Sequence, residues 1–306
     1  MNEHSASDNP ADIFEAERPR LGRLAYSILG SVADADDAVQ ETWLRWARQD
    51  HARIASPRAW LTTTASRVAL DELRTARRRR EDYVGTWLPE PQVERWDGTA
   101  DAAIESDDVT TALLVVLEQL SPVERVAFLL CDVFGMPSQD VAGVVGKNAD
   151  AVRQAARRGR GHVSARAPRY ESDPATHMEV VSRFAEACEG RNLKALVETL
   201  APGVTFRSDG GGLVTATRKP VTGKARVGAM LAGFAATALR KGHALEVTLA
   251  RVNGRAGVIF RVGHELSVYS IETHSGRITE FNVMRNPQKL RSVYAAGDRW
   301  FRGTAA

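Results

Sequence analysis

The chain has 306 residues, with 41 lysines and arginines against 38 aspartates and glutamates, a formal net charge of +3. That length predicts two or three domains with separate cores, and so small a surplus, sorted into blocks, confines any nucleic-acid contact to local patches. No run of about 18 apolar residues occurs and the N-terminus is polar and acidic, which predicts a cytoplasmic chain with neither membrane span nor secretory signal.

From Phe14 to Arg80 the apolar residues recur at helical spacing: Leu21, Leu24 and Ile28, then Val39, Trp43 and Leu44, then Trp60, Leu61, Val68, Leu70 and Leu73. This predicts an all-helical domain over residues 10–82. The acids Asp34, Asp36, Asp37 and Glu41 stand beside Val39, Trp43, Leu44 and Trp46. Such a helix suits a basic protein surface. A solvated helix start, favoured by the macrodipole, is the other reading of the same residues. Ser56-Pro57 opens the last helical stretch, which ends in Arg74 and the run Arg77 to Arg80. Arginines near threonines and Trp60 suit a duplex backbone or an opened strand, although arginines also favour helix C-termini for their own sake.

Between Glu81 and Asp108 nine acids face the single Arg95, and the stretch contains Trp87-Leu88-Pro89-Glu90-Pro91. An extended acidic linker over residues 83–105 is predicted. A second helical domain follows over residues 106–167. Ser121-Pro122-Val123-Glu124 supplies an N-cap, a proline at the first helical position and a capping-box glutamate. Val141-Ala142, Gly146 and Val152 then carry the small, glycine, aliphatic spacing of a helix-turn-helix. Its second helix, from about Ala149 to Val163, carries Arg153, Gln154, Arg157, Arg158 and Arg160. Six arginines and no acid between Arg153 and Arg169 favour phosphates.

After Ala175 helices are predicted over Met178 to Glu189, Leu193 to Leu200 and Lys224 to Leu239. Alternating runs follow at Leu245-Val247-Leu249, Val258-Phe260-Val262, Leu266-Val268 and Ile278 to Val283. Helices followed by antiparallel strands predict an α+β domain over residues 176–291, a curved sheet wrapped on helices, with a tail over 292–306. Cys131 and Cys188 lack the spacing of a zinc site or disulfide framework, and Cys188 follows Val181 and Phe184 on one helical face as a small buried side chain. No metal or cofactor is implied. Asp209, His243, His264 and His274 are the candidates for acid–base chemistry in this part, but the histidines lie in separate elements without triad or ligand spacing. A pocket holding a small ligand as a signal is the more plausible reading than turnover, and the chain is read as a non-enzyme.

The order of parts resembles the bacterial extracytoplasmic-function sigma factors. The resemblance rests on Asp34-Ala35-Asp36-Asp37-Ala38-Val39-Gln40-Glu41-Thr42-Trp43, then Pro57-Arg58-Ala59-Trp60-Leu61, then Leu70-Asp71-Glu72-Leu73-Arg74, then the helix-turn-helix, and covers roughly residues 10–166. It implies two all-α domains, sigma regions two and four, that bind core RNA polymerase and promoter DNA. Asp34, Asp37, Gln40, Glu41 and Trp43 match the helix pressed against polymerase. Arg67 to Arg78, with Arg74 and Arg77, match the helix that reads and melts the minus-ten element. Lys147, Asn148, Asp150, Arg153, Gln154, Arg157 and Arg158 match the helix entering the major groove at the minus-thirty-five element. Arg67 stands where many relatives have asparagine, so no minus-ten base preference is implied.

The C-terminal third is similar to the SnoaL-like extension of a sigma subgroup. The signatures are Trp87-Leu88-Pro89-Glu90-Pro91, Asp209-Gly210-Gly211-Gly212 and Asn286-Pro287-Gln288-Lys289-Leu290, with Gln288 where acids are common. In that subgroup the extension replaces a separate anti-sigma protein and clamps the linker. The residues agree: Trp87 and Leu88 are apolar anchors between prolines, the glycines allow close backbone approach, and Asp209 and Lys289 offer polar ends. A strand bulge or turn is the plainer use of the glycines. Two other functions are weighed against a sigma factor: a ligand-responsive helix-turn-helix regulator acting without polymerase, and an enzyme with a DNA-binding appendage.

Overall fold

Asn9 starts the first helix by accepting the Ala11 N–H on its side chain, and Pro10 takes the first helical position, where a missing N–H costs nothing. In the computed structural model, which describes residues 9–96, 109–165, 173–240 and 242–301, this helix α1 (Pro10–Leu29) stops at Gly30 in the left-handed region, φ 69°. Ser31 caps α2 (Val32–Trp46), and α3 (Pro57–Glu81) completes the first helical group. Their apolar stripes meet in a core of Phe14, Leu21, Leu24, Ile28, Trp46, Leu61 and Leu70, all at most 2% exposed. The buried Trp46 indole donates to the Pro10 carbonyl at 2.7 Å, so its one polar atom is satisfied.

The second helical group comprises α4 (Thr111–Leu117), α5 (Pro122–Phe128), α6 (Ser138–Val145) and α7 (Ala149–Ser164). The capping box at the head of α5 is complete, with Ser121 and Glu124 each bonding the other's backbone N–H. Gly146, φ 67°, turns α6 into α7, while Val141 and Val152 are fully buried between them. Gly159 of α7 is also buried, and a Cβ there would stand 2.8 Å from the Phe128 Cβ. That close approach is invisible to apolar periodicity, because glycine carries no side chain to count.

The described chain forms two compact units: Met1–Glu81 with Val116–Ala165, and Asp82–Val115 with Arg166–Ala306. The first is all helical. The second contains α8 (Pro174–Glu189), α9 (Leu193–Glu198), α10 (Lys224–Arg240) and α11 (Arg291–Ala296) with strands β1 (Val93–Arg95), β2 (Leu200–Asp209), β3 (Val221–Thr222), β4 (Leu245–Val252), β5 (Arg255–Val262), β6 (Glu265–His274) and β7 (Arg277–Met284). These form one curved sheet in the order β1-β4-β5-β6-β7-β2-β3. Among the described residues no helix is long and apolar enough to cross a membrane.

The sheet departs from the expectation in three ways. Leu200 opens β2 rather than ending a helix, and Ala201-Pro202-Gly203 hides this strand from a propensity reading. Its pairing with β7 is parallel, while all other neighbours are antiparallel, so the sheet is mixed. The edge strand β1 comes from the linker, with Val93 opposite Val252. Alternation then sorts two faces. Phe206, Phe260, Tyr269 and Phe281 pack under α8 with Phe184, their ring centroids 4.6–6.5 Å apart. Ile259, Val268 and Met284 face the other way, in a cluster with Leu88, Val115, Leu290 and Val293.

Candidate functional site

In the helical unit, α2 and α3 line a cleft of about 470 Å³ with Asp34, Asp37, Glu41, Asp71 and Glu72. Asp37 and Gln40 are exposed, whereas Glu41 is paired with Arg45 at 2.8 Å. Trp43 is only half-exposed because its ring packs on Phe14, centroids 5.0 Å apart. Asp71 and Glu72 were not among the candidate residues. Their spacing from Asp37 carries no signal, since only the packing of α3 on α2 brings them to the same cleft. Five carboxylates with one arginine make a surface that attracts a basic partner.

Along α3, Arg67 donates to the Gly143 carbonyl of α6 at 2.9 Å, and Arg77 to the Leu120 carbonyl at 2.9 Å. Arg74 is paired with Asp71 at 3.0 Å, and Arg78 is exposed. Behind them Glu118 binds Arg80 at 2.6 Å and the fully buried Arg125, which reach the Leu29 and Ser27 carbonyls respectively. Burial pushes the Glu118 carboxyl up, but Arg125 and Arg80 outweigh it and hold it below its usual value. Two arginines around one carboxylate thus tie the two helical groups together.

On α7, Arg153, Gln154, Arg157, Arg158 and Arg160 are all exposed. Asn148 accepts the Ala151 N–H at 2.8 Å as the N-cap, Asp150 pairs with Arg153, and Lys147 is exposed. Arg158 is paired with Glu124 and Arg160 with Asp132. Arg157 has no ion-pair partner among the described residues. It offers its charge to a ligand at no cost in broken pairs.

The second unit joins three distant segments at one carboxylate. Asp209 at the end of β2 is wholly buried. It accepts from the Tyr83 hydroxyl at 2.6 Å, the Leu88 N–H at 2.9 Å and the Gly211 N–H at 2.9 Å, and pairs with Lys289 at 2.8 Å. Lys289 also donates to the Leu88 carbonyl at 2.6 Å and stands 4.0 Å from the Trp87 ring centroid. Leu88 is 2% exposed, and Pro89 and Pro91 are buried beside it, with Glu90 half-buried. Burial, then the bond to Asp209, pushes the Tyr83 phenol up, so it stays a neutral donor. Asn286 donates to the Tyr83 oxygen at 2.9 Å, and Gln288 is exposed.

The glycines have separate uses here. A Cβ at Gly210 would stand 2.3 Å from the Val214 carbonyl oxygen, and one at Gly211 2.3 Å from Asn286 Nδ2. Gly211 and Gly212 also take φ of 62° and 72°, which an L side chain resists. Tyr83 and Asn253 were not among the candidates. Asn253 exchanges hydrogen bonds with Gln92 of the linker, at 2.9 and 3.3 Å. The Asn253-Gly254 pair at a hairpin, both at positive φ, was the available signal for the turn but not for the contact.

The acid–base candidates do not assemble. Asp209 is consumed by the linker, His243 and His264 face each other with ring centroids 6.5 Å apart, and His274 is exposed at the end of β6. The buried histidine is His177, pushed down to about 4 by burial and the nearby Arg255, and held by Thr273 and the Ala256 carbonyl. Cys188 is pushed up to about 12 by burial, which makes it an inert thiol. Glu272, on the opposite sheet face, is pushed up to about 7 by burial.

Residues 13–79 match the model of Sigma-70 region 2, and residues 110–163 that of Sigma-70, region 4. The chain is 44% identical over 249 residues to the ECF RNA polymerase sigma factor SigJ of Mycobacterium tuberculosis, covering 80% of this chain and 78% of that one. It is 33% identical over 300 residues to the probable ECF RNA polymerase sigma factor SigI of the same organism, over 96% and 98% of the two chains. The crystal structure of Mycobacterium tuberculosis SigJ superposes with a TM-score of 0.74 at 37% identity, over 92% of this chain and 98% of that one. The two helical groups carry regions 2 and 4, which recruit polymerase and promoter rather than catalyse a reaction, and the chain belongs to the extracytoplasmic-function RNA polymerase sigma factors.

Proposed function

We propose that the acidic cleft of α2 and α3 receives core polymerase, that Arg67, Arg74, Arg77 and Arg78 engage the minus-ten element, and that α7 enters the major groove at the minus-thirty-five element. We further propose that the C-terminal extension is a built-in brake that makes a separate anti-sigma protein unnecessary and acts by holding the linker. The observation that carries this is the seizure of Leu88 by Asp209 and Lys289.

Reach supplies the physical reason. The two promoter elements lie about 25 base pairs apart, about 85 Å along the duplex. Residues 82–110 would need nearly all of their extended length, about 95 Å, to bridge them. A linker pinned on one domain at Tyr83, Leu88 and Gln92 has no such length to spend. Consistent with this, Arg67 donates to the helix-turn-helix backbone, so the groups meant for the two elements are a hydrogen bond apart. Release of the linker is therefore the activating step. The rings of Phe184, Phe206, Phe260, Tyr269 and Phe281 fill the core between α8 and the sheet, which favours a mechanical role over a small-molecule ligand there. Work on polymerase and chromosomal promoters sets the chain in the cytoplasm.

Run-off transcription with core polymerase and full-length chain tests both halves. Lys289→Met is expected to raise promoter-specific transcript several-fold. Asp37→Lys is expected to abolish it while leaving duplex binding by α7 intact. No response to Lys289→Met refutes the brake, and an unimpaired Asp37→Lys protein refutes the polymerase face.

A further inference from the structure

The linker meets the extension twice. Upstream are the Asp209 contacts. Downstream, Val115 packs in the cluster of Ile259 and Val268 that also holds Leu88, and residues 110–115 are the head of region 4. Val109 is 5% exposed, and Val115, at 7%, joins the same apolar cluster as Leu88, Ile259, Val268 and Met284. Thr111 Oγ1 lies 3.2 Å from Asn253 Oδ1 and 3.0 Å from Ser270 Oγ, and Glu272 accepts the Ala112 N–H. Asn253 thus holds the chain at two points, Gln92 in the linker and Thr111 in the head of region 4.

We propose that the outer face of the sheet, built on Asn253, Ser270 and Glu272, is a second docking surface, made for residues 109–115 of this chain, and that it releases region 4 before the Asp209 site releases Leu88. The inference rests on the reading of the extension as a brake.

The order follows from how well each carboxylate is satisfied. Asp209 gathers three hydrogen-bond donors and an ammonium. Glu272 holds one backbone N–H, and its Oε2 has no hydrogen-bond partner among the described residues, the Arg255 guanidinium standing 3.6 Å away. Asn282 Oδ1, one strand over, is buried and equally unpartnered. Buried polar atoms left unpaired cost free energy that water repays on opening. Opening the downstream contact therefore costs less free energy than opening the upstream one. It also frees the head of region 4 while the Leu88 anchor still holds the chain to the extension.

Hydrogen exchange on the full-length chain reads the order directly. Residues 109–115 are expected to exchange about tenfold or more faster than residues 86–92. Thr111→Val, which keeps the shape and removes the hydroxyl, should speed exchange at 109–115 about a further tenfold and leave the Leu88 amide at the Asp209 site unchanged. Glu272→Ala should do the same. The same Thr111→Val protein should give several-fold more run-off transcript with core polymerase. Simultaneous opening of the two segments, or earlier opening of 86–92, overturns the order. Faster exchange at 109–115 without more transcript overturns the surface as part of the brake. If Lys289→Met raises transcription and Thr111→Val does not, the second surface fails while the brake stands. If neither does, both fail.

Discussion

Lys289 Nζ lies 2.8 Å from Asp209 Oδ2 and 2.6 Å from the Leu88 carbonyl oxygen, so one ammonium closes both a buried ion pair and the linker backbone. Its side chain is 14% exposed and that of Asp209 0%. Removing the cation leaves a buried carboxylate without its counter-charge. Lys289→Met is expected to destabilise the second unit by about 3–5 kcal/mol, read as a shift of the denaturation midpoint of the full chain. A shift equal to that of a surface lysine substitution would show that the pair contributes nothing.

Gly211 sits against Asn286 with no room for a methyl group and at φ 62°. Gly211→Ala combines backbone strain with displacement of the amide that orients Tyr83. About 1–3 kcal/mol is expected from strain alone, with loss of protection at the Leu88 amide. Gly276→Ala is the control, since its φ of 70° carries the strain and nothing lies within 4 Å. Equal effects at the two sites would remove the packing argument.

On α7, Arg157 has no ion-pair partner among the described residues and Arg158 is held by Glu124. DNA that recruits Arg158 must first break that pair. Arg157→Ala is therefore expected to weaken binding to a minus-thirty-five duplex by about 1–3 kcal/mol, and Arg158→Ala by less. Anisotropy titrations at two salt concentrations measure both. A larger loss for Arg158 would mean that the Glu124 pair opens freely on binding.

Glu272 is pushed from an ordinary 4.5 to about 7 by burial, with Arg255 opposing and Glu280 reinforcing the shift. Between those values the folded chain keeps a proton that the unfolded chain has released. Stability should accordingly fall as pH rises through this window, by on the order of 3 kcal/mol in all, and be flat above it. Glu272→Gln keeps an acceptor for the Ala112 N–H without the charge. It should erase that slope and stabilise the chain at pH 8. Denaturation of both proteins from pH 4 to 8 checks this, and parallel curves would sink it.

What could be read from the residues was local in origin. Caps at Ser121 and Glu124, the glycine at 146 and helical periodicity each act within a few residues, so the helices and the helix-turn-helix were legible, as was the order of sigma motifs. The strands with clean alternation were legible too, whereas β2 was hidden by Pro202 and Gly203, and its parallel partner β7 lies some 75 residues on. The motif resemblance singled out Asp209 and Lys289 as polar ends, but not Tyr83 as their companion. Only tertiary packing decided which arginines face solvent and which donate to their own chain, as Arg67 does to Gly143. It alone placed Asn253 and Glu272 against the linker. The reason is that burial and cross-strand register unite residues from about 75 to about 160 positions apart, and no spacing rule along the chain encodes a partner at that distance.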